Sequence, residues 1–403
     1  MSKTNDFNKT LFSRGSVAFG DKPPTWTLSA VGDTSLWPND TVGPALRLPE
    51  MFDAVRNHIG ADLAYVNLEG PVTDREKKPS RFGLRGCWPH QLRMLEEVGF
   101  NLLCMANNHI TDFGREGIAD TLGLLRRHKL PHHGMGLSEA AARKPLIQTV
   151  GRTKVGFLAY CRDEAHLAIG PHCGAAPYDI RRVLADVRKL RKRVDVLVVS
   201  VHTGRIGTEL PRREFRRRCR MLIDQGVDLI LGAHPHQVHG IERHGKGLIL
   251  YSLGNFFLDF GNSPPHENRG LIARIGFRGK RMVKLDIVPT QVTDDYAVVP
   301  MKDRERREFL HYLKGISDAI IDDARFDERN WQIATAQWDR VVERIYQFGE
   351  KGDRAGLDEY LASLHAHPIN TTFFIGDYIT EFLHRHIHGL PCGRGDAPHP
   401  DEE

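Results

Sequence analysis

Short apolar runs recur along the chain, and five of them end within a few residues in carboxylate, amide or imidazole side chains. The run 26–31 leads to Asp33, 63–66 to Asn67 and Glu69, and 102–105 to Asn107, Asn108 and His109. The run 196–201 leads to His202, and 227–231 to His234 and His236. Runs this short, bounded by Gly, Asn or Pro, read as strands buried on both faces of a sheet. If the strands are parallel, all five polar clusters emerge at one sheet edge, where open α/β sheets bind ligands.

Amphipathic segments alternate with these runs at 49–59, 89–98, 115–128, 178–193 and 211–225, the signature of repeated βα units. Gly60, Gly99 and Gly226 stand where helix-terminating glycines belong, and Pro89 and Pro211 suit first turns. A further strand at 247–253 precedes a Gly-Asn-Phe-Phe loop at 254–257, and 271–277 with 282–288 reads as an antiparallel hairpin. From about residue 302 the pattern becomes helical, at 304–321, 331–348, 356–365 and 373–388. The expected organisation is therefore a polar leader with little structure (1–25), an α/β domain (26–300), a helical region (301–390) and a disordered tail (391–403).

The 403 residues suffice for one large domain and an appendage. With 56 basic and 51 acidic residues the net charge is only +5, too small a bias to argue for nucleic acid. The six cysteines show no CxxC pair, which leaves zinc ribbons and redox motifs unsupported. Cys104, inside an apolar run, reads as a small core residue. With no signal-peptide-like stretch at the start and no run near the roughly 18 residues of a membrane span, the expectation is a cytoplasmic protein without a membrane anchor. The oligomeric state is left open.

Asp, Glu, His and an amide oxygen converging at strand ends suit a divalent ion such as Zn, Mn, Fe or Co. Taken alone, Asp33 also fits a turn or helix cap, and His202 also fits a satisfied core histidine. Glu69, followed by Gly70-Pro71, is poorly placed for a helix-face ion pair. His109, beside the amide of Asn108, is free to work as an acid or base. Gly232-Ala233-His234-Pro235-His236 is the strongest local signal, with His239 behind it as a supporting or exposed residue. His132-His133 reads as a loop pair, His384, His386 and His388 as a solvated helix face. The arginines at 212, 213, 216, 217, 218 and 220 also read as a solvated face, or as a patch that steers an anionic partner.

Gly32-Asp33, Asn67-Leu68-Glu69-Gly70, the segment 107–114, His202-Thr203-Gly204, the segment 232–236 and Ser252-Leu253-Gly254-Asn255-Phe256 together resemble the CapA family of poly-gamma-glutamate capsule synthesis proteins, within the calcineurin-like metallophosphatase superfamily. The resemblance implies an αββα sandwich of metallophosphatase type. It implies metal ligands at Asp33, Glu69, Asn108, His202, His234 and His236, acid–base chemistry at His109 and Asp33, and substrate contacts from Asn67, Asn107 and Asn255. Such phosphatases usually carry a histidine ligand two residues after the first aspartate; here that position is Ser35. The position of Asp33, Glu69 and His236 is therefore expected to be thin, and that of Glu69, Asn108, His202 and His234 well supplied, giving one tight metal and a weaker second. The substrate implied is a peptide or anionic polymer. The reaction implied is epimerisation at a peptide α-carbon, as in lasso-peptide maturation, or a step of capsule synthesis. Phosphate-ester cleavage and a non-catalytic accessory role stand as alternatives.

Overall fold

The computed structural model describes residues 2–36, 49–75, 86–162, 167–258, 269–351 and 353–356. The apolar runs become strands as expected, but they divide between two sheets rather than sharing one edge. Trp26–Ser35, Leu63–Leu68 and Leu102–Cys104 lie side by side and parallel in a nine-stranded sheet. Val196–His202 and Leu229–Ala233 are parallel neighbours in a six-stranded sheet. The inner faces of both sheets contribute to one apolar cluster, and across it the Tyr65 hydroxyl donates to Ser200 Oγ at 3.0 Å. Helices Pro89–Val98 and Gly114–Arg127 follow strands of the first sheet, while Ile180–Arg191 and Arg213–Asp224 follow strands of the second. The result is the αββα sandwich of the expected α/β class. Two sheets bring their strand ends to one place as effectively as one.

The second sheet also holds a strand that the apolar runs did not mark. Thr153–Cys161 pairs with Val196–His202 on one side and Leu146–Val150 on the other, and Lys154 and Gly156 break its apolar run. The hairpin closes the first sheet, with Arg269–Arg278 antiparallel to both Arg281–Val292 and Trp26–Ser35. The supposed Gly-Asn-Phe-Phe loop is partly a strand, Asn255–Leu258, laid parallel to Trp26–Ser35 with Asn255 opposite Asp33.

The N-terminal segment is not the unstructured leader expected. Ser2–Arg14 is helical, and Phe7, Leu11 and Phe12 are buried; three apolar side chains at i, i+4 and i+5 suffice to dock it, at about 1.5–3 kcal/mol per large side chain buried. At the helix ends, Pro89 opens its helix, and Gly99 closes it at φ +116°. Gly60 ends its helix at φ −52°, outside the left-handed region.

The chain divides into two compact units, Met1–Ser317 and Asp318–Glu403, so the division falls inside helix Asp303–Ile321 rather than near residue 300. The second unit contains helix Asp323–Glu350. The helices expected at 356–365 and 373–388, the tail at 391–403, and His384, His386 and His388 lie outside the described residues, apart from helical Gly356. Among the described residues no helix is long and apolar enough to cross a membrane.

One glycine sets the entry to the site. Strand register shifts between Val31 and Asp33, and a Cβ on Gly32 would lie 2.0 Å from the Gly254 carbonyl oxygen. That contact is backbone on both sides, so nothing can swing away. Gly32→Ala is expected to cost at least about 1–3 kcal/mol, the range of an overpacked interior. Thermal unfolding of the variant checks this, and an unchanged melting temperature would refute the close approach.

Candidate metal centre

Asp33 is fully buried at the end of its strand, and its carboxylate is fixed from two directions. The Asn67 amide donates to Oδ1 at 2.6 Å, and the His234 backbone N–H donates to Oδ2 at 2.9 Å. Glu69, also fully buried, begins the turn beyond the neighbouring strand, its N–H donating to the Thr34 carbonyl. Its Oε1 lies 3.9 Å from His236 Nε2 and 3.7 Å from His109 Nε2. Burial and the negative charge of Glu69 push the Asp33 carboxyl up to about 7, against the opposing pull of His236 and its hydrogen bonds.

The imidazoles arrive from the other sheet. His202 ends its strand with Nδ1 3.7 Å from Asp33 Oδ1, and its Nε2 lies 2.8 Å from Asn108 Oδ1 and 3.1 Å from His234 Nδ1. His234 and His236 both take the left-handed region, at φ +99° and +57°. Such backbone is uncommon for a residue with a Cβ and clusters at functional sites. With Pro235 between them, the His236 ring faces Asp33 and Glu69 while the His234 ring meets His202. Asn255 Oδ1 accepts the Nδ1–H of His236 at 2.9 Å, which leaves Nε2 with its lone pair toward Glu69. Burial pushes His234 down to about 3 and His202 well below the usual imidazole value, in each case helped by neighbouring imidazoles. Both rings are therefore neutral and available as lone-pair donors.

Asp33, Glu69 and His236 each offer a ligand atom, and all three atoms lie within 4.8 Å of one another. That is the group expected to be thin, and its three side chains nonetheless converge. The other set brings Asn108, His202 and His234 together. Ser35 takes no part: its hydroxyl donates to the Gly86 carbonyl and accepts the Gly86 N–H. The donor chemistry fits a divalent ion. Two dehydrated carboxylates this close repel each other, and neutral imidazoles beside them complete a mixed oxygen and nitrogen set.

His109 differs from the other rings. Its side chain retains 14% exposure, and Nδ1 sits 2.9 Å from Asp112 Oδ2. A carboxylate on Nδ1 fixes the tautomer and leaves Nε2 for proton transfer. Asp112, three residues on, was visible in the sequence, but only the turn reveals its role.

The three asparagines expected to touch substrate do otherwise. Asn107 is fully buried; its Oδ1 accepts from the N–H groups of Gly70 and His109, and its Nδ2 donates to the Leu68 carbonyl. It shapes the loops that carry Glu69 and His109. Asn67 and Asn255 are likewise buried, and orient Asp33 and His236. Nearby, His239 is buried with Nε2–H on the Thr208 carbonyl, and its pKa falls to about 4 through burial. His133 belongs to a strand, not a loop, and packs between Tyr65 and Phe157, burial pushing it down to about 3. Arg216 and Arg218 are buried rather than solvated, Arg218 paired with Glu214 and lying over the Tyr178 ring.

An αββα sandwich with carboxylates, an amide and imidazoles gathered at its strand ends defines an α/β protein with a site suited to a divalent metal. Residues 27–259, which hold every candidate ligand, match the family described as "Bacterial capsule synthesis protein PGA_cap". The chain belongs to that family. It is 30% identical over 206 residues to the PGA biosynthesis protein CapA of Bacillus subtilis, covering 50% of this chain and 54% of that one. It is 26% identical over 244 residues to the capsule biosynthesis protein CapA of Bacillus anthracis, covering 58% and 59%. A Mycobacterium tuberculosis protein named as a probable polyglutamine synthesis accessory protein is 28% identical over 245 residues, covering 53% and 60%. The chain thus matches little more than half the length of these relatives.

Proposed function

We propose that this chain is a metal-dependent enzyme of capsule-polymer synthesis, acting by acid–base chemistry beside an amide of a polyglutamate-like chain. The observation that carries the reading is His109: a partly exposed imidazole, oriented by Asp112, whose Nε2 faces the buried Asp33–Glu69–His236 group. Asp33, Glu69 and His236, with Asn108, His202 and His234 beside them, would hold the metal, drawn from Mn, Zn, Fe or Co. When bound there, a divalent ion supplies a Lewis acid for an amide or carboxylate oxygen. His109 Nε2 moves the proton, Asp112 holds Nδ1–H, and Asn67 and Asn255 keep Asp33 and His236 aimed. Burial keeps water from the carboxylates.

The assay uses γ-linked glutamyl oligomers in deuterated water, with the chelated protein and with each metal restored. Mass spectrometry then reads chain shortening and deuterium at the α-carbon separately: the first marks cleavage, the second inversion. Metal-dependent change of either kind supports the reading. Inactivity with every metal, together with metal-dependent turnover of chromogenic phosphate esters, would replace it with a phosphoesterase. The name of the M. tuberculosis relative favours a second reading, an accessory role without catalysis. Full complementation of a capsule-deficient strain by His109→Ala would establish that reading instead.

A further inference from the structure

A cavity of about 420 Å³ opens beside the candidate metal centre, a size in the usual range of small-molecule sites. One wall is the backbone of the site itself. Gln237 and Val238 follow His236 directly, and Val238 bridges to Leu253 just ahead of Asn255. Arg269 stands next to Gly270, which bridges to Gly254. The opposite wall is helix Asp303–Ile321, which presents Glu305, Glu308 and Phe309. Tyr312, at 37% exposure, completes the lining.

The polar side chains of this cavity are poised but not engaged with one another. Arg269, Glu305 and Gln237 are each half-buried, and among the described residues none makes a side-chain hydrogen bond or an ion pair. Glu308 pairs with Arg304 in its own helix, an exposed pair of little worth. A guanidinium and a carboxylate lining one cleft, and not closing on each other, suit a ligand that carries both charges. Guanidinium binds carboxylate in a bidentate fork, and carboxylate accepts from ammonium. Val238 and Phe309 supply apolar surface for methylenes between.

We propose that this cavity binds the amino-terminal residue of a γ-linked glutamyl chain, with Arg269 on its α-carboxylate and Glu305 on its α-ammonium. The proposal rests on the polyglutamate reading above and names the end of the polymer presented to the metal centre. Chemistry makes that end distinctive. In a γ-linked chain each amide uses a side-chain carboxyl, so the first residue alone retains a free ammonium and a free carboxylate on one carbon. Interior residues keep only the carboxylate, and the first residue of an α-linked chain keeps only the ammonium on its α-carbon. A site with both an arginine and a glutamate therefore reads the end and the linkage together.

Calorimetric titration of the full chain with γ-linked triglutamate, its N-acetyl derivative and α-linked triglutamate tests this. The γ-linked peptide with its free terminus is expected to bind at least about tenfold more tightly than either comparator, one bidentate or ammonium contact being worth about 1.4 kcal/mol or more. Glu305→Gln should remove the penalty of acetylation, and Arg269→Gln should weaken the free γ-linked peptide at least about tenfold, with unfolding curves confirming that both variants fold. Equal affinity for the three peptides, or no binding of any, would overturn the proposal on the unaltered protein. Selective binding without turnover keeps this site and removes the proposed reaction. Turnover of the N-acetyl chain at unchanged KM does the opposite.

Discussion

His109→Ala is expected to lower turnover by about 10²–10⁴-fold, the usual contribution of a positioned general acid or base, while leaving metal uptake in place. The reason is a division of labour among the imidazoles. His202 and His234 are buried and strongly resist protonation, and His236 has its Nδ1 committed to Asn255. Of these four rings, His109 is the most exposed, and it combines a close carboxylate on Nδ1 with an Nε2 directed toward the centre. Asp112→Asn should cost less, about 10–100-fold, as for other residues that orient a working group through a hydrogen bond. Both losses should fall on kcat more than KM, since neither side chain holds the substrate. The metal-induced rise in melting temperature should survive in His109→Ala and vanish in Asp33→Asn. Turnover of His109→Ala at the parent rate, on any substrate whose conversion a chelator abolishes, would remove His109 from the chemistry.

The ligand types at strand ends were legible because each follows a run that cannot be anything but buried. Local order also reads well where one residue dictates it, as at Pro89 and Gly99. What stayed hidden depends on partners distant in sequence. The second sheet's strand Thr153–Cys161 escapes notice because Lys154 and Gly156 break its apolar run. Asn107 looks like a ligand neighbour, yet Gly70, Leu68 and His109 absorb its amide. The arginine run looks solvated, but Tyr178 and Glu214 draw Arg218 inward. Ser35 shows the limit from the other side: its partner, Gly86, lies 51 residues away and could not be read from the sequence.

Removing metal should expose a contribution of Asp33 to stability that falls as pH rises through about 7, and restoring metal should abolish that fall. Asp33 titrates near 7 in the folded chain against an ordinary 3.8. A raised carboxyl pKa means that the folded state holds the proton more tightly. The stability it contributes is complete below about 3.8 and is lost as pH climbs through about 7. The buried imidazoles act in the opposite sense. His133 and His234, pushed down from 6.5 to about 3, and His239, pushed to about 4, contribute stability that is complete above 6.5 and lost as pH falls. With three such imidazoles against one carboxyl, the metal-free chain should melt lowest in acid, and the Asp33 contribution is read as the difference between the parent and Asp33→Asn, which falls as pH rises through about 7. Asp33→Asn removes the carboxyl contribution alone, because the amide has no proton to lose. A divalent ion needs the ionised Asp33, so binding releases its proton, and affinity should rise by about tenfold per pH unit up to about 7 and then level. Thermal unfolding in chelator and in excess metal from pH 5.5 to 8.5 reads both effects. A difference in melting temperature between the parent and Asp33→Asn in chelator that stays flat from pH 6 to 8, with a metal-induced increment equally flat, would mean that Asp33 is already ionised without its ion. The buried pair would then owe its stability to the protein's own dipoles.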